Sequence, residues 1–250
     1  SDQWSTGIGD SMKRMIISGG SRGLGAALVD EYRRAGDKIT ELSRSGRTAD
    51  SVQVDLAQPA VAQQILDDEF GRIAADPCEH VLLFNNAGDV MPIGQVADKA
   101  FDSVLGNVNV NFVGAIVLLR AFILAFQAKD CPKAIVNISS GAALSGIEGW
   151  SLYCAAKAGI EHFIRTIALE QADNAFPINA VNISPGLIDT GMQASIRSAA
   201  QTDFPRLQDF VGFKAQGALR SPALVADAVV AILVSGPAPG SRHEVADYVQ

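Results

Sequence analysis

Apolar residues along this chain fall into two rhythms that take turns from one end to the other. Short β-branched or apolar runs, each bounded by Gly, Pro, Asn or Asp, predict strands at Arg14–Ser18, Lys38–Leu42, Val52–Val54, His80–Asn85, Ala134–Ser139 and Asn179–Ile183, with a last one near Glu244–Val249. Longer amphipathic segments predict helices at Leu24–Ala35, Ala60–Ala75, Leu152–Ala172 and Ala223–Leu233, and a broken pair across Phe101–Gln127. Val81-Leu82-Leu83-Phe84 and Ala134-Ile135-Val136 are apolar at consecutive positions, the pattern of strands buried on both faces of a parallel sheet. The expectation is a single α/β domain over residues 13–250, a doubly wound parallel sheet of about seven strands with helices on both faces.

Two segments break this rhythm. Residues 1–12 are polar up to Ser11 and lack the apolar centre of a signal peptide, so they read as a loose leader. Residues 187–220 scatter Met192, Ile196, Phe204, Phe210, Val211 and Phe213 among polar positions without a strand pattern. A long irregular insertion after a strand end is the usual form of a substrate lid.

Composition then removes whole classes of function. With 48% apolar and 19% charged residues, the chain can bury a large core, which excludes disordered and collagen-like classes. A formal charge of −7, with no Lys/Arg run longer than two, disfavours nucleic acid as a partner. The longest apolar stretch, Ala115 to Phe126, is interrupted by Arg120 and falls short of the roughly 20 residues of a membrane span, so no transmembrane helix is expected. Cys78, Cys131 and Cys154 are far apart, and His80, His162 and His243 have no ligand spacing. Neither a disulfide framework nor a metal site is expected, and a reducing cytoplasm suits the thiols.

Candidate chemistry begins where the first strand ends, at Ser18-Gly19-Gly20-Ser21-Arg22-Gly23-Leu24-Gly25 leading into a helix. Glycines let the main chain turn tightly against a pyrophosphate, and the free N–H groups of a helix start favour that anion. The second strand ends in Leu42-Ser43-Arg44, with no carboxylate at its tip, and Arg44 with Arg22 can pair with a ribose 2′-phosphate. That favours NADP(H) over NAD(H), with two solvated surface arginines as the open alternative. Glu41 is expected to point away from Arg44 by strand alternation.

Tyr153 and Lys157 are four residues apart on a predicted helix and share a face. An ammonium beside a phenol lowers its pKa and makes it a usable proton donor to a carbonyl. Thirteen residues before Tyr153, Ser140 closes an apolar strand, at the sheet end where open α/β folds bind ligands, and can donate a hydrogen bond to a substrate oxygen.

In order along the chain, Gly19/Gly23/Gly25, Asp55-Leu56, Asn85-Asn86-Ala87-Gly88, Asn111 in Val-Asn-Phe-Val-Gly, Ser140, Tyr153/Lys157 and Pro185-Gly186-Leu187-Ile188-Asp189-Thr190 resemble the short-chain dehydrogenase/reductase family, from about Met15 to the C-terminus. Gly149–Ala158 and Asp189–Gln193 look like its sepiapterin reductase branch, which includes benzil-type diketone reductases. The resemblance implies a Rossmann fold and an NADPH-dependent carbonyl reductase. It further implies that Tyr153 is the general acid–base, that Lys157 holds the nicotinamide ribose and lowers the Tyr153 pKa, and that Ser140 polarises the carbonyl. Asn111, preferred over Asn109, would position a water, and Ser140 is preferred over Ser139. Asp55 and Leu56 would flank adenine, Asn86, Ala87 and Gly88 would line the cofactor floor, and Ile188 and Thr190, after Pro185 and Gly186, would hold the carboxamide. Ser21, Arg22, Leu24, Ser43 and Arg44 complete the expected cofactor contacts.

The branch's pterin-anchoring Asp has no exact counterpart, because Glu244-Val245-Ala246-Asp247-Tyr248 carries Asp247 one residue late. Leu144, Trp150, Met192 and Phe210 are expected to shape an apolar pocket beside Ser140, with ordinary core as the bland alternative. Ile116, Leu119, Phe122, Phe126, Phe163 and Ile167 offer more apolar surface than one sheet face should cover, and family members pair these helices, so a homodimer or homotetramer is expected. An NADP(H)-binding sensor without turnover has no need of Ser140, Tyr153, Lys157 and Asn111 together, and a methyltransferase would want an acidic second strand tip.

Overall fold

A computed structural model describes residues 13–46, 48–77 and 79–249. The expected leader, residues 1–12, and Cys78 lie outside the described residues. Seven strands among the described residues form one sheet: β1 (Lys13–Ser18), β2 (Lys38–Ser43), β3 (Ser51–Gln53), β4 (His80–Asn85), β5 (Lys133–Ile138), β6 (Ile178–Ser184) and β7 (Arg242–Glu244). All neighbours pair in parallel, in the order β3-β2-β1-β4-β5-β6-β7. The order reverses between β1 and β4, and the crevice that opens there, at the carboxyl ends of the strands, is where such sheets bind ligands.

The consecutive apolar runs divide their side chains between two cores, as strand alternation requires. Met15, Ile17, Leu82, Phe84 and Val136 face α1 (Gly23–Arg34) and α8 (Pro222–Val234). Ile16, Val81, Leu83 and Ile135 face the other layer, built from α2 (Pro59–Ala75), α4 (Gly114–Phe126) and α5 (Ser151–Gln171). Ser221 caps α8 by accepting the Leu224 N–H at 3.2 Å, and Pro222 occupies its first turn, where the missing N–H is harmless. The Arg44-to-Ser51 connection carries no helix among the described residues.

Five expectations need correction. The last strand is Arg242–Glu244, and Val245–Asp247 is a 3-10 turn; polar residues form this edge strand by pairing with Asn182–Ser184, which leaves no apolar signal. The stretch from 187 to 220 is not irregular, since it holds α6 (Gly191–Arg197) and α7 (Leu207–Ala215).

The pair across Phe101–Gln127 is joined, because α3 (Phe101–Val108) runs through a π turn at Asn109–Val113 into α4. The resulting 26-residue helix, Phe101–Phe126, with a mean hydropathy of 2.0, is long and apolar enough to cross a membrane by length and composition, contrary to expectation. Here it serves as a layer helix of the sheet, with Leu118, Leu119, Phe122 and Phe126 buried.

Finally, the apolar face assigned to a subunit interface is largely internal. Leu119, Phe122, Phe126 and Ile167 are buried, the two phenylalanines packing 4.9 Å apart beside Phe70. They cover α2 as well as the sheet, which absorbs the apparent excess.

Candidate active site

The glycine turn is built by steric necessity. Gly19 and Gly23 take φ of +70° and +57°, and a Cβ on Gly25 would stand 2.1 Å from the Gly19 carbonyl oxygen. Asn86 donates to the carbonyls of Ser18 and Gly19 at 3.1 and 3.0 Å, while Ser18 Oγ accepts the N–H groups of Asn86 and Ala87, both at 3.1 Å. The turn is thereby tied to the end of β4. Ser18 was not anticipated; it lies on the last strand position and carries no motif of its own.

Helix α1 begins without a side-chain cap and without an acidic residue in its first turn, so its leading N–H groups are open to an anion. Arg22 and Arg44 are exposed on the same cavity wall as Ser21, Ser43 and Ser45, and neither makes an ion pair among the described residues. Glu41, on the same strand face as Ser43, is buried beneath Gly20 and accepts a hydrogen bond from Ser43 Oγ at 3.0 Å, so burial keeps its carboxylate off the cavity wall.

A cavity of about 1350 Å³ runs from this turn across the strand ends. It exceeds the roughly 300–1,000 Å³ of a pocket for one drug-sized ligand. Along it lie Gly19, Ser21, Arg22, Gly23, Leu24 and Gly25, then Asp55 and Leu56, then Asn86, Ala87 and Gly88. Pro185, Gly186, Ile188 and Thr190 line it too, and Thr190 adjoins the glycine turn, 3.2 Å from the position a Gly23 Cβ would take.

Ser140, Tyr153 and Lys157 meet in the middle of this wall. Ser140 follows β5 in extended conformation, and its Oγ accepts the Ala142 N–H at 3.1 Å. Burial pushes the Tyr153 phenol up to about 12, and the neighbouring Ser140 hydroxyl pulls against it. Lys157 donates to the Ile138 carbonyl at 2.7 Å and stands 5.7 Å from the Tyr153 ring centre; burial pushes it down to about 8. The expected lowering of the phenol by Lys157 is therefore absent: burial dominates, and the amine is turned to a strand carbonyl.

Asn111 sits in the π turn, buried and off the cavity wall, which Asn107 and Val110 supply instead. Both amide N–H groups are engaged, donating to the carbonyls of Asp89 and Asn107 at 2.8 and 3.0 Å, and its oxygen accepts the Asp89 N–H at 2.9 Å. The side chain fixes the Asp89 loop and has no donor left for a water.

Across from these groups the pocket is aromatic. Trp150 stacks on Phe204 at 5.0 Å and packs edge-on against Phe210 and Tyr153 at 5.4 and 5.8 Å. Trp150, Met192 and Phe210 line the cavity, joined by Met91, Ile147 and Phe213, which carried no motif. Leu144 is a correction: the 3-10 turn at Gly141–Ala143 carries it outward, 64% exposed and away from the cavity. On β7, Glu244 reaches the wall, whereas Ala246 and Asp247 do not.

A parallel sheet with a glycine turn at its switch point and a serine–tyrosine–lysine cluster beyond it defines a nicotinamide-dependent oxidoreductase. Comparison with known proteins agrees: the sequence model described as short chain dehydrogenase matches residues 13–201, and the chain belongs to that family as an NAD(P)-dependent oxidoreductase. It is 33% identical over 243 residues to "Benzil reductase ((S)-benzoin forming)" of Bacillus subtilis (strain 168), covering 95% of this chain and 100% of the relative. Among solved structures, a short chain dehydrogenase/reductase from Saccharomyces cerevisiae superposes with a TM-score of 0.78 at 22% identity, covering 95% of this chain and 100% of that one. ElxO with NADP bound gives a TM-score of 0.74 at 21% identity, covering 94% and 97%.

Proposed function

We propose that this protein is an NADPH-dependent reductase that delivers a hydride to a ketone or vicinal dicarbonyl of an apolar or aromatic small molecule, with Tyr153 as the proton donor. The observation that carries this reading is the meeting of Ser140, Tyr153 and Lys157 between the glycine turn and the aromatic wall.

The residues present fit the cofactor. An uncapped helix start, a turn with no room for a Cβ at Gly25 and two exposed arginines on the wall with Ser43, neither ion-paired among the described residues, suit a pyrophosphate and a 2′-phosphate. Gly19 to Gly25 would cradle the pyrophosphate, Ser43, Arg44 and Arg22 the 2′-phosphate, Asp55 and Leu56 the adenine, and Pro185 to Thr190 the nicotinamide side. When bound, NADPH supplies the hydride.

The chain supplies the proton and the fixed geometry. A phenol held near 12 is fully protonated at neutral pH, which suits a donor to a carbonyl oxygen as negative charge develops there. Ser140 Oγ, beside that phenol, would donate to the same oxygen. Lys157, mostly protonated at pH 7, would bind the nicotinamide ribose and restore positive charge beside the phenolate left behind. Asn111 would act by holding the Asp89 loop in place.

Trp150, Ile147, Phe210, Phe213 and Met192 suit an aromatic substrate, in keeping with the benzil reductase of B. subtilis. Residues 187–220 would serve as the lid, pinned through the Ile188–Arg220 bridge and the Lys214–Asp189 ion pair at 2.6 Å. Pterins are less well served, since Asp247 is off the wall. A homodimer or homotetramer is part of this reading, supported by exposed Phe101, Leu105 and Leu124 on the long helix, as is a cytoplasmic setting, supported by the thiol of Cys154.

The test is NADPH consumption with sepiapterin, benzil, a simple aromatic ketone and a sugar, each repeated with NADH. Turnover of a dicarbonyl with NADPH alone is the expected result. Silence on every substrate while NADPH still binds would remove the dicarbonyl assignment and shift weight to a narrower substrate or to a sensor.

A further inference from the structure

Next to Ser140 lies a polar cluster that the proposed chemistry does not use. Neighbouring strands place Asn85, Asn137, Asn182 and Arg242 in register across the strand ends. The first three bond in a line, Asn85 Nδ2 to Asn137 Oδ1 at 2.9 Å and Asn137 Nδ2 to Asn182 Oδ1 at 2.8 Å. The row ends on α5, where Asn182 Nδ2 donates to the Glu161 carbonyl at 3.3 Å.

The Glu161 carboxylate is buried and ion-paired to both Arg165 and Arg242. It also accepts a hydrogen bond from Ser139 Oγ at 2.7 Å. Arg242 spends its guanidinium on this corner. Nη1 donates to Ser139 Oγ at 3.2 Å as well as to Glu161, Nη2 donates to the Ser140 carbonyl at 3.3 Å and to Glu244 Oε1 at 2.7 Å, and Nε donates to Glu244 Oε1 at 3.0 Å. One planar fork thus grips the side chain of Ser139 and the main chain of Ser140 across about a hundred residues of sequence.

We infer that Arg242, anchored by Glu161, is a positioning residue for the reaction: it holds the Ser139 hydroxyl and the Ser140 carbonyl, and through them the place of the Ser140 hydroxyl. The inference rests on the proposed role of Ser140. Stability alone is a poor reason for such a cluster, because well-packed apolar residues commonly replace a buried ion pair at no loss. Geometry is a better one. The Ser140 hydroxyl must meet a carbonyl oxygen and the Tyr153 phenol at once, and a misplacement of about 1 Å in such a site can slow turnover roughly 100-fold. The Ala142 N–H acts on the Ser140 side chain, while the Ser140 carbonyl is held both by the Ala143 N–H of its own turn at 3.0 Å and by Arg242, from a distant strand, at 3.3 Å.

The test uses Arg242→Lys and Arg242→Met, alone and combined with Ser140→Ala, on the full chain, with whichever panel carbonyl is turned over fastest. Lysine keeps a charge for Glu161 but cannot present two parallel donors, so it separates pairing from positioning if the methionine variant fails to fold. The expected result is a folded Arg242→Lys protein with kcat down roughly 10- to 100-fold and an unchanged KM for NADPH. In the Ser140→Ala background the same change should have no further effect. Independently of turnover, the Ala142 amide, which donates to Ser140 Oγ, should exchange faster in cofactor-free Arg242→Lys than in the parent.

Wild-type kcat in Arg242→Lys, unchanged Ala142 protection, or equal slowing in the presence and absence of the Ser140 hydroxyl would each overturn the inference while leaving the role of Ser140 intact. Full activity in Ser140→Ala would instead overturn the proposed role of Ser140, and this inference with it.

Discussion

Lys157 is expected to destabilise the fold it serves, and replacing it with methionine measures by how much. Burial lowers its pKa from 10.5 to about 8, so below pH 8 the folded state carries a charge that the unfolded chain hydrates freely. The unfolded state binds the extra proton between these two values, and stability therefore rises with pH across that window. Linkage between an unfolded pKa of 10.5 and a folded pKa of about 8 gives a penalty of about 3 kcal/mol at pH 7, falling to about 1 kcal/mol at pH 10. Lys157→Met keeps the length of the side chain and removes the charge. Its loss of the bond to the Ile138 carbonyl is a constant offset, and every other titration cancels between the two proteins. Urea unfolding of both proteins without cofactor, at pH 7, 8.5 and 10, should show the methionine variant's advantage shrinking by about 2 kcal/mol from the lowest pH to the highest. A gap that stays constant would refute the burial argument. The variant should also be nearly inactive at every pH.

Tyr153→Phe should lower turnover by about 10²- to 10⁴-fold while NADPH affinity, read by fluorescence titration, stays close to the parent's, because the phenol oxygen is a proton donor and not a cofactor anchor. Arg44→Ala should raise the KM for NADPH roughly 10- to 100-fold and leave that for NADH unchanged, the worth of one charge-assisted contact to a 2′-phosphate. Gly25→Ala should cost about 1–3 kcal/mol of stability in thermal or urea unfolding and weaken binding of both cofactors, since the new methyl collides with the Gly19 carbonyl. Equal KM shifts for NADPH and NADH in the arginine variant would remove the phosphate assignment, and a Gly25→Ala protein that binds as before would remove the cradle.

Much of the architecture was legible because buried parallel strands write themselves as apolar runs. Val81 to Phe84 and Ala134 to Val136 need no partner information to be recognised, and the helices between them agree with expectation to within about a residue at most ends. Failures share a cause: the deciding contact lies far away in sequence. Arg242-His243-Glu244 is a strand only because Asn182 to Ser184 offers a free edge, and nothing local signals it. Helices α6 and α7 are short and weakly amphipathic, and their form follows from packing on Trp150 and Phe204. Leu144 was drawn to the pocket by its closeness to Ser140 in the chain, yet one 3-10 turn faces it outward. Periodicity placed an apolar stripe on α4 but could not say that α2 already covers it. The site followed the same division. Ser140, Tyr153, Lys157 and the glycines carry motifs, whereas Ser18, Glu161 and Arg242 act through partners tens of residues distant.

The stack of Trp150 on Phe204 also gives the protein a built-in optical reporter. The chain has two tryptophans, and the other, Trp4, lies in the N-terminal stretch, so a Trp4→Phe variant would emit from Trp150 alone. That indole touches the Tyr153 ring on one side and the lid on the other, and lines the cavity itself. Reduced nicotinamide absorbs where indole emits, so energy transfer would report the arrival of the cofactor. A change in the ring stack would shift the emission when the lid rearranges over a substrate. Binding order and lid motion could then be timed in a stopped-flow cell with no attached dye.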